Sequence, residues 1–130
     1  MTNTISNTSI PHKNLIPISR GYSNNPFFNG CDYVMRASGE SMQSIIKRND
    51  ILGLYEVDQW EAFIPYGEVY AILTKSGHLM LKKIINGKDD DHYTLVSEPL
   101  DDDKSIYPPQ QISKSLIDKI FVVKSTNTMY

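Results

Sequence analysis

Three short strings hold the residues whose types and spacing suit chemistry: Gly39-Glu40-Ser41-Met42, Asn49-Asp50-Ile51-Leu52 and Leu81-Lys82-Lys83-Ile84. A serine hydroxyl becomes a nucleophile when a neighbouring base takes its proton. His12, His78 and His92 stand in no supporting motif for that task. A lysine can do it if its amine is neutral, and burial favours the neutral form. Lys82 and Lys83 lie among Leu79, Met80, Leu81, Ile84 and Ile85, a run apolar enough for a strand buried on both faces. The same run also reads as an edge strand whose lysines guard against unwanted pairing. Ser41 has a plainer reading as well, a hydroxyl that caps the following turn, with Gly39 as an ordinary turn residue. Strand alternation puts Lys82 and Lys83 on opposite sides and does not choose between them.

The elements that must hold these residues are mostly strands. Tyr33 to Ala37 is short and β-prone, and Ser41 to Arg48 fits a helical turn with Met42, Ile45 and Ile46 on one side. The serine thus falls at a strand-to-turn corner, where backbone amides can face a developing oxyanion. Asp50 to Glu56, Glu68 to Thr74, His78 to Ile85, Tyr93 to Val96 and Ile117 to Lys124 read as further strands. Lys75-Ser76-Gly77 joins two of them as a hairpin loop, and Asn86 to Asp91 is a polar turn around Gly87. Ile16-Pro17-Ile18 begins an extended segment, because proline disfavours helix in the residue before it. Pro99 to Ile112, with Asp101-Asp102-Asp103 and Pro108-Pro109, reads as a surface loop with solvated aspartates. Residues 1 to 14, rich in Thr, Asn and Ser, read as a flexible tail or linker stub, and 15 to 130 as one domain. Short strands and hairpin-sized turns predict a mainly β domain, a barrel or coiled sheet with little helix. The terminal strand carries Ile120, Phe121, Val122 and Val123. It is expected to be an edge that pairs in a homodimer, the alternative being a strand interior to the sheet.

Bulk properties exclude several classes. A chain of 130 residues buries roughly two-thirds of its unfolded surface, enough for a core without staples. Thirteen basic against 15 acidic side chains give a net charge of −2, which is not the balance of a general polyanion binder. One cysteine, Cys31, allows no internal disulfide, which suits a reducing cytosol, and it reads as a small buried apolar residue. The histidines lack metal-ligand spacing, so no metal or cofactor is expected. No run approaches the ~18 apolar residues of a membrane span, and the first nine residues have no secretory pattern.

Taken together, Arg36-Ala37-Ser38-Gly39-Glu40-Ser41-Met42, then Asn49-Asp50-Ile51, Gly67-Glu68-Val69-Tyr70 and Leu81-Lys82-Lys83-Ile84, resemble the LexA, UmuD and phage-repressor peptidase family in order and approximate spacing. The resemblance spans about Ile16 to Lys124. It implies a β-rich, cytoplasmic homodimer with Ser41 as nucleophile and Lys82, the first of the basic pair, as general base. It also implies an oxyanion hole from the backbone amides of Glu40 and Ser41. Many members cut themselves when stimulated by a RecA filament on single-stranded DNA. DNA contact in the family belongs to an amino-terminal helix-turn-helix, for which these residues show no helices. Signal peptidases share a similar arrangement but need a membrane anchor.

Three features depart from the family pattern. Ser44 replaces the usual proline, and Asn49 replaces the glycine before Asp50. Asn24-Asn25 stands where the scissile Ala-Gly falls. Two functional readings therefore stand side by side: a serine–lysine peptidase domain in repressor control or the DNA-damage response, and a catalytically silent dimerisation module of the same fold. A third takes the motif as coincidental in an unrelated small β-barrel.

Overall fold

Alternating and doubly apolar runs pair into one antiparallel sheet. The computed structural model describes residues 11–18, 28, 30–38, 42, 45–99 and 107–127, and of 125–127 the backbone alone. Its strands are β1 (Ile16–Pro17), β2 (Tyr33–Arg36), β3 (Ile51–Glu56), β4 (Val69–Thr74), β5 (Leu79–Asn86), β6 (His92–Val96), β7 (Gln110–Ser113) and β8 (Ile117–Asn127). Neighbours run in the order β1-β2-β3-β8-β4-β5-β6-β7, and every pair is antiparallel. The order is open, with β1 and β7 at its two ends, so among the described residues the sheet does not close into a barrel. The domain is thus mainly β, as expected, and no described residue lies in an α-helix.

The sheet buries both faces. On one, Met35, Leu52, Leu54, Ala71, Leu73, Leu81 and Phe121 pack with Met42 and Ile46. On the other, Tyr70, Ile72, Ile84, Tyr93, Leu95 and Ile120 pack under Trp60 and Ile64. β4 is therefore buried almost end to end, and its apolar run has no solvent side. The segment between β3 and β4 covers the second face. It is pinned there by Tyr70, whose hydroxyl donates to the Pro65 carbonyl at 2.6 Å, and by Tyr93, whose hydroxyl donates to that of Trp60. Cys31 is buried with Phe28, Val34 and Ile51 in a third cluster.

The β4–β5 hairpin turns at Lys75-Ser76-Gly77, where Gly77 takes a φ of +94° that glycine accepts without strain. Thr74 closes the turn, its N–H donating to the His78 carbonyl at 2.8 Å.

Three expectations are corrected. β8 is not an edge: it lies between β3 and β4, with Ile120 and Phe121 fully buried. A strand so apolar on both sides is more stable with both edges paired inside the sheet than at its border. The end of the presumed surface loop forms β7, whose Gln110 and Gln111 pair with Leu95 and Thr94; polar composition hid a strand that lies at the sheet border. Ile45 is exposed, not on the apolar side of its turn. The chain makes a tight turn there, with the Ile45 and Ile46 amides both donating to the Met42 carbonyl, and Met42 and Ile46 face inward.

Candidate functional site

Four elements surround a cleft of about 350 Å³. It is lined by Ala37 and Ser38 beyond β2, by Met42 and Ile46 of the turn, and by Leu79 to Lys82 of β5 with Gln110 of β7. β2 and β5 are separated by three strands in the sheet order, and it is the segment after β2, through Ala37, Ser38, Met42 and Ile46, that meets β5 at the cleft. Residues Leu79 to Lys83 pair with β4, whereas β6 pairs only with Lys83 to Asn86. The cleft therefore follows the stretch of β5 edge that β6 leaves uncovered. A site at a strand edge draws on both faces, which explains why Leu81 and Lys82 both line it.

The turn leading away from this cleft is built by Asn49 and Asp50. Asn49 has a φ of +73°, the left-handed region in which asparagine substitutes best for glycine. Its N–H donates to the Ala37 carbonyl at 2.9 Å, and the Ala37 N–H donates to the Asp50 carbonyl at 2.8 Å. The buried Asp50 carboxylate accepts from the Lys47 N–H at 2.9 Å. These bonds join the two ends of the segment 38–48, so the departure at Asn49 leaves the required backbone conformation in place.

Lys82 and Lys83 meet different environments. The Lys82 amine donates to Ser97 Oγ at 2.7 Å and lies 5.8 Å from the centre of the Tyr107 ring. Burial lowers its pKa below the ordinary lysine value. Lys83 forms an ion pair with Glu98 at 3.0 Å. Gly39, Glu40 and Ser41, like Ser44 and Asn24-Asn25, lie outside the described residues, while Ser38 before them in the chain and Met42 after them both line the cleft. The sequence reading did not single out Ser97. The signal that could have found it is a hydroxyl continuing the buried face of Tyr93 and Leu95, at 7% exposure.

Residues 9–124 match the model of the Peptidase S24-like family, a range that contains every element lining the cleft. The chain belongs to that family. No curated protein and no solved structure matches it significantly. Membership in the Peptidase S24-like family agrees with the resemblance to LexA-type peptidases drawn from the three strings, and with a β-rich domain. Among the described residues, no helix is long and apolar enough to cross a membrane.

Proposed function

We propose that this chain is a LexA-like serine–lysine peptidase domain, with Ser41 as nucleophile and Lys82 as its general base. One observation carries the reading: a lysine with a desolvated amine lines the same cleft as Ser38 and Met42, between which Ser41 lies in the chain. The substrate is an extended peptide, which adds as a strand, backbone to backbone, to the edge of Leu79 to Leu81 that β6 does not pair among the described residues.

In this reaction, the Ser41 Oγ–H proton passes to the neutral Lys82 amine as Oγ bonds to the scissile carbonyl carbon. The backbone amides of Glu40 and Ser41 receive the resulting oxyanion. Collapse breaks the C–N bond, and the Lys82 ammonium returns its proton to the leaving amine. Water then attacks the acyl ester with Lys82 again as base, releasing a carboxylate and restoring Ser41.

Self-cleavage, homodimerisation and a role in repressor control or the DNA-damage response follow the LexA-like reading. So does stimulation by a RecA filament, with DNA contact left to a separate domain. The dimer surface is not the β8 edge, which is occupied. Asn24-Asn25 favours a second reading, a silent dimerisation module. Incubating the purified chain with a peptide carrying an Ala-Gly segment separates the two. Release of the two peptide halves supports the peptidase, and an intact peptide across the alkaline range sinks it. Light scattering at tens of micromolar tests the dimer, and a monomer there refutes it.

A further inference from the structure

We propose that Ser97 is a positioning residue that holds the Lys82 amine in line for proton transfer. This rests on the reading of Lys82 as general base. The last paired position of β5 and β6 is Lys83 with Val96. One step further along the antiparallel register brings Lys82 opposite Ser97, on the same side of the two strands. The side chains meet there at 2.7 Å, and Ser97 is buried.

A lysine amine ends a flexible four-carbon stem and has no fixed direction of its own. When neutral, it has two N–H bonds and one lone pair. An N–H placed on Ser97 Oγ restricts the directions open to the lone pair that must accept the nucleophile's proton. Ser97 also belongs to a segment that touches the other side of the site. The next residue, Glu98, donates its backbone N–H to Met42 Sδ at 3.3 Å, and Met42 directly follows Ser41. Ser97-Glu98 therefore meets the base through a side chain and the turn after the nucleophile through the backbone. Among the described residues, the charged and titratable groups around Lys82 are the Tyr107 phenol and the neighbouring Lys83–Glu98 pair. Neither supplies a fixed acceptor to the Lys82 amine in the way the Ser97 hydroxyl does.

The test compares the full chain with its Ser97→Ala and Ser97→Thr variants, using an Ala-Gly peptide as substrate across a pH series. On the same samples, competitive acetylation of lysines, read by mass spectrometry, gives a titration midpoint for Lys82. Ser97→Ala is expected to lower the alkaline plateau of the rate by about 10- to 100-fold, the scale of a small misplacement of a catalytic group. The Lys82 midpoint should fall further, because the hydroxyl accepts more strongly from an ammonium than from an amine. A lower midpoint alone would raise the rate at neutral pH. A fallen plateau therefore marks positioning and not charge tuning. Ser97→Thr keeps the hydroxyl and should regain most of the plateau. Should Ser97→Ala fail to fold, Ser97→Cys, a weak acceptor of similar size, takes its place with the same expected loss. A wild-type plateau, or an unmoved Lys82 midpoint in the variant without the hydroxyl, overturns the proposal. If the unaltered chain cuts nothing while the Lys82 midpoint answers to Ser97, the peptidase reading fails and the hold on the amine stands.

Discussion

Lys83 pairs with Glu98 at 3.0 Å, one register step from the point where Lys82 meets Ser97. Adjacent lysines on one strand are thereby set to different chemistry. Lys83 is held in an ion pair with a carboxylate, and Lys82 faces a hydroxyl in a desolvated cleft, where burial leaves the amine easier to deprotonate. Lys82→Ala and Ser41→Ala should each abolish hydrolysis of an Ala-Gly peptide, the first by removing the general base and the second by removing the attacking oxygen itself. Lys83→Ala should keep most of the activity, since its ion pair is partly exposed and worth at most about 1 kcal/mol. The measurement is steady-state peptide cleavage by liquid chromatography. Equal losses at Lys82 and Lys83 would undo the distinction.

The lowered Lys82 pKa fixes the direction of two pH dependences. Cleavage needs the free amine, so the rate should climb with pH and level off below the 10.5 of an ordinary lysine. A reference lysine would offer only roughly a few free amines in ten thousand at neutral pH. Stability follows from the same shift. Between the folded and the unfolded pKa, the unfolded chain holds more protons at this site, so stability rises with pH across that window. Below the folded pKa both states are protonated, and the cost of burying the ammonium is fully present. Lys82→Met should therefore raise the thermal midpoint at pH 7, and its advantage should shrink as pH nears 10.5. Calorimetry at matched pH values checks this. A destabilised Lys82→Met at pH 7 would mean that the amine's contacts outweigh its burial.

Much of this arrangement was legible before the fold. Val69–Thr74 and Leu79–Asn86 announce themselves because each apolar run is bounded by turn residues, and Gly77 supplies the positive φ that their hairpin requires. The pair of strings at Ser41 and Lys82 was legible by resemblance, and the choice of the first lysine was not decidable from alternation. The rest lay in non-local pairing. Nothing in Ile117–Asn127 says that it is inserted between β3 and β4, because strand order is a property of the whole sheet. Gln110–Ser113 is polar because it lies at the sheet border, so periodicity gave it no apolar face to find. Ser97 escaped because its meaning comes from the register with Lys82, not from its neighbours in the chain.

The Asn49 turn offers a local test of that register of ideas. Its φ of +73° is strained for any residue with a branched or bulky side chain. Asn49→Gly should be neutral or slightly stabilising, and Asn49→Val should cost about 1–3 kcal/mol, read from urea unfolding. Gly87 supplies a steric counterpart, for a Cβ added there would collide with the backbone of His92. Gly87→Ala should destabilise the β5–β6 hairpin although the side chain is small. An unchanged midpoint in both Asn49→Val and Gly87→Ala would show that these turns relax freely.

Asn24-Asn25 decides whether the chain is its own substrate. A cleft that accepts small residues at the scissile position discriminates against a branched polar side chain, because fitting it requires both space and new hydrogen-bond partners. The purified chain should therefore remain intact on prolonged incubation at alkaline pH, as judged by intact mass. Replacing the pair by Ala-Gly, as Asn24→Ala with Asn25→Gly, should install cleavage that removes the first two dozen residues and that disappears again with Lys82→Ala. Cleavage that appears in the double variant and survives Lys82→Ala would point to another base. Spontaneous cleavage of the unaltered chain between Asn24 and Asn25 would show that the site tolerates asparagine, and the peptidase reading would then extend to self-processing without any change of sequence.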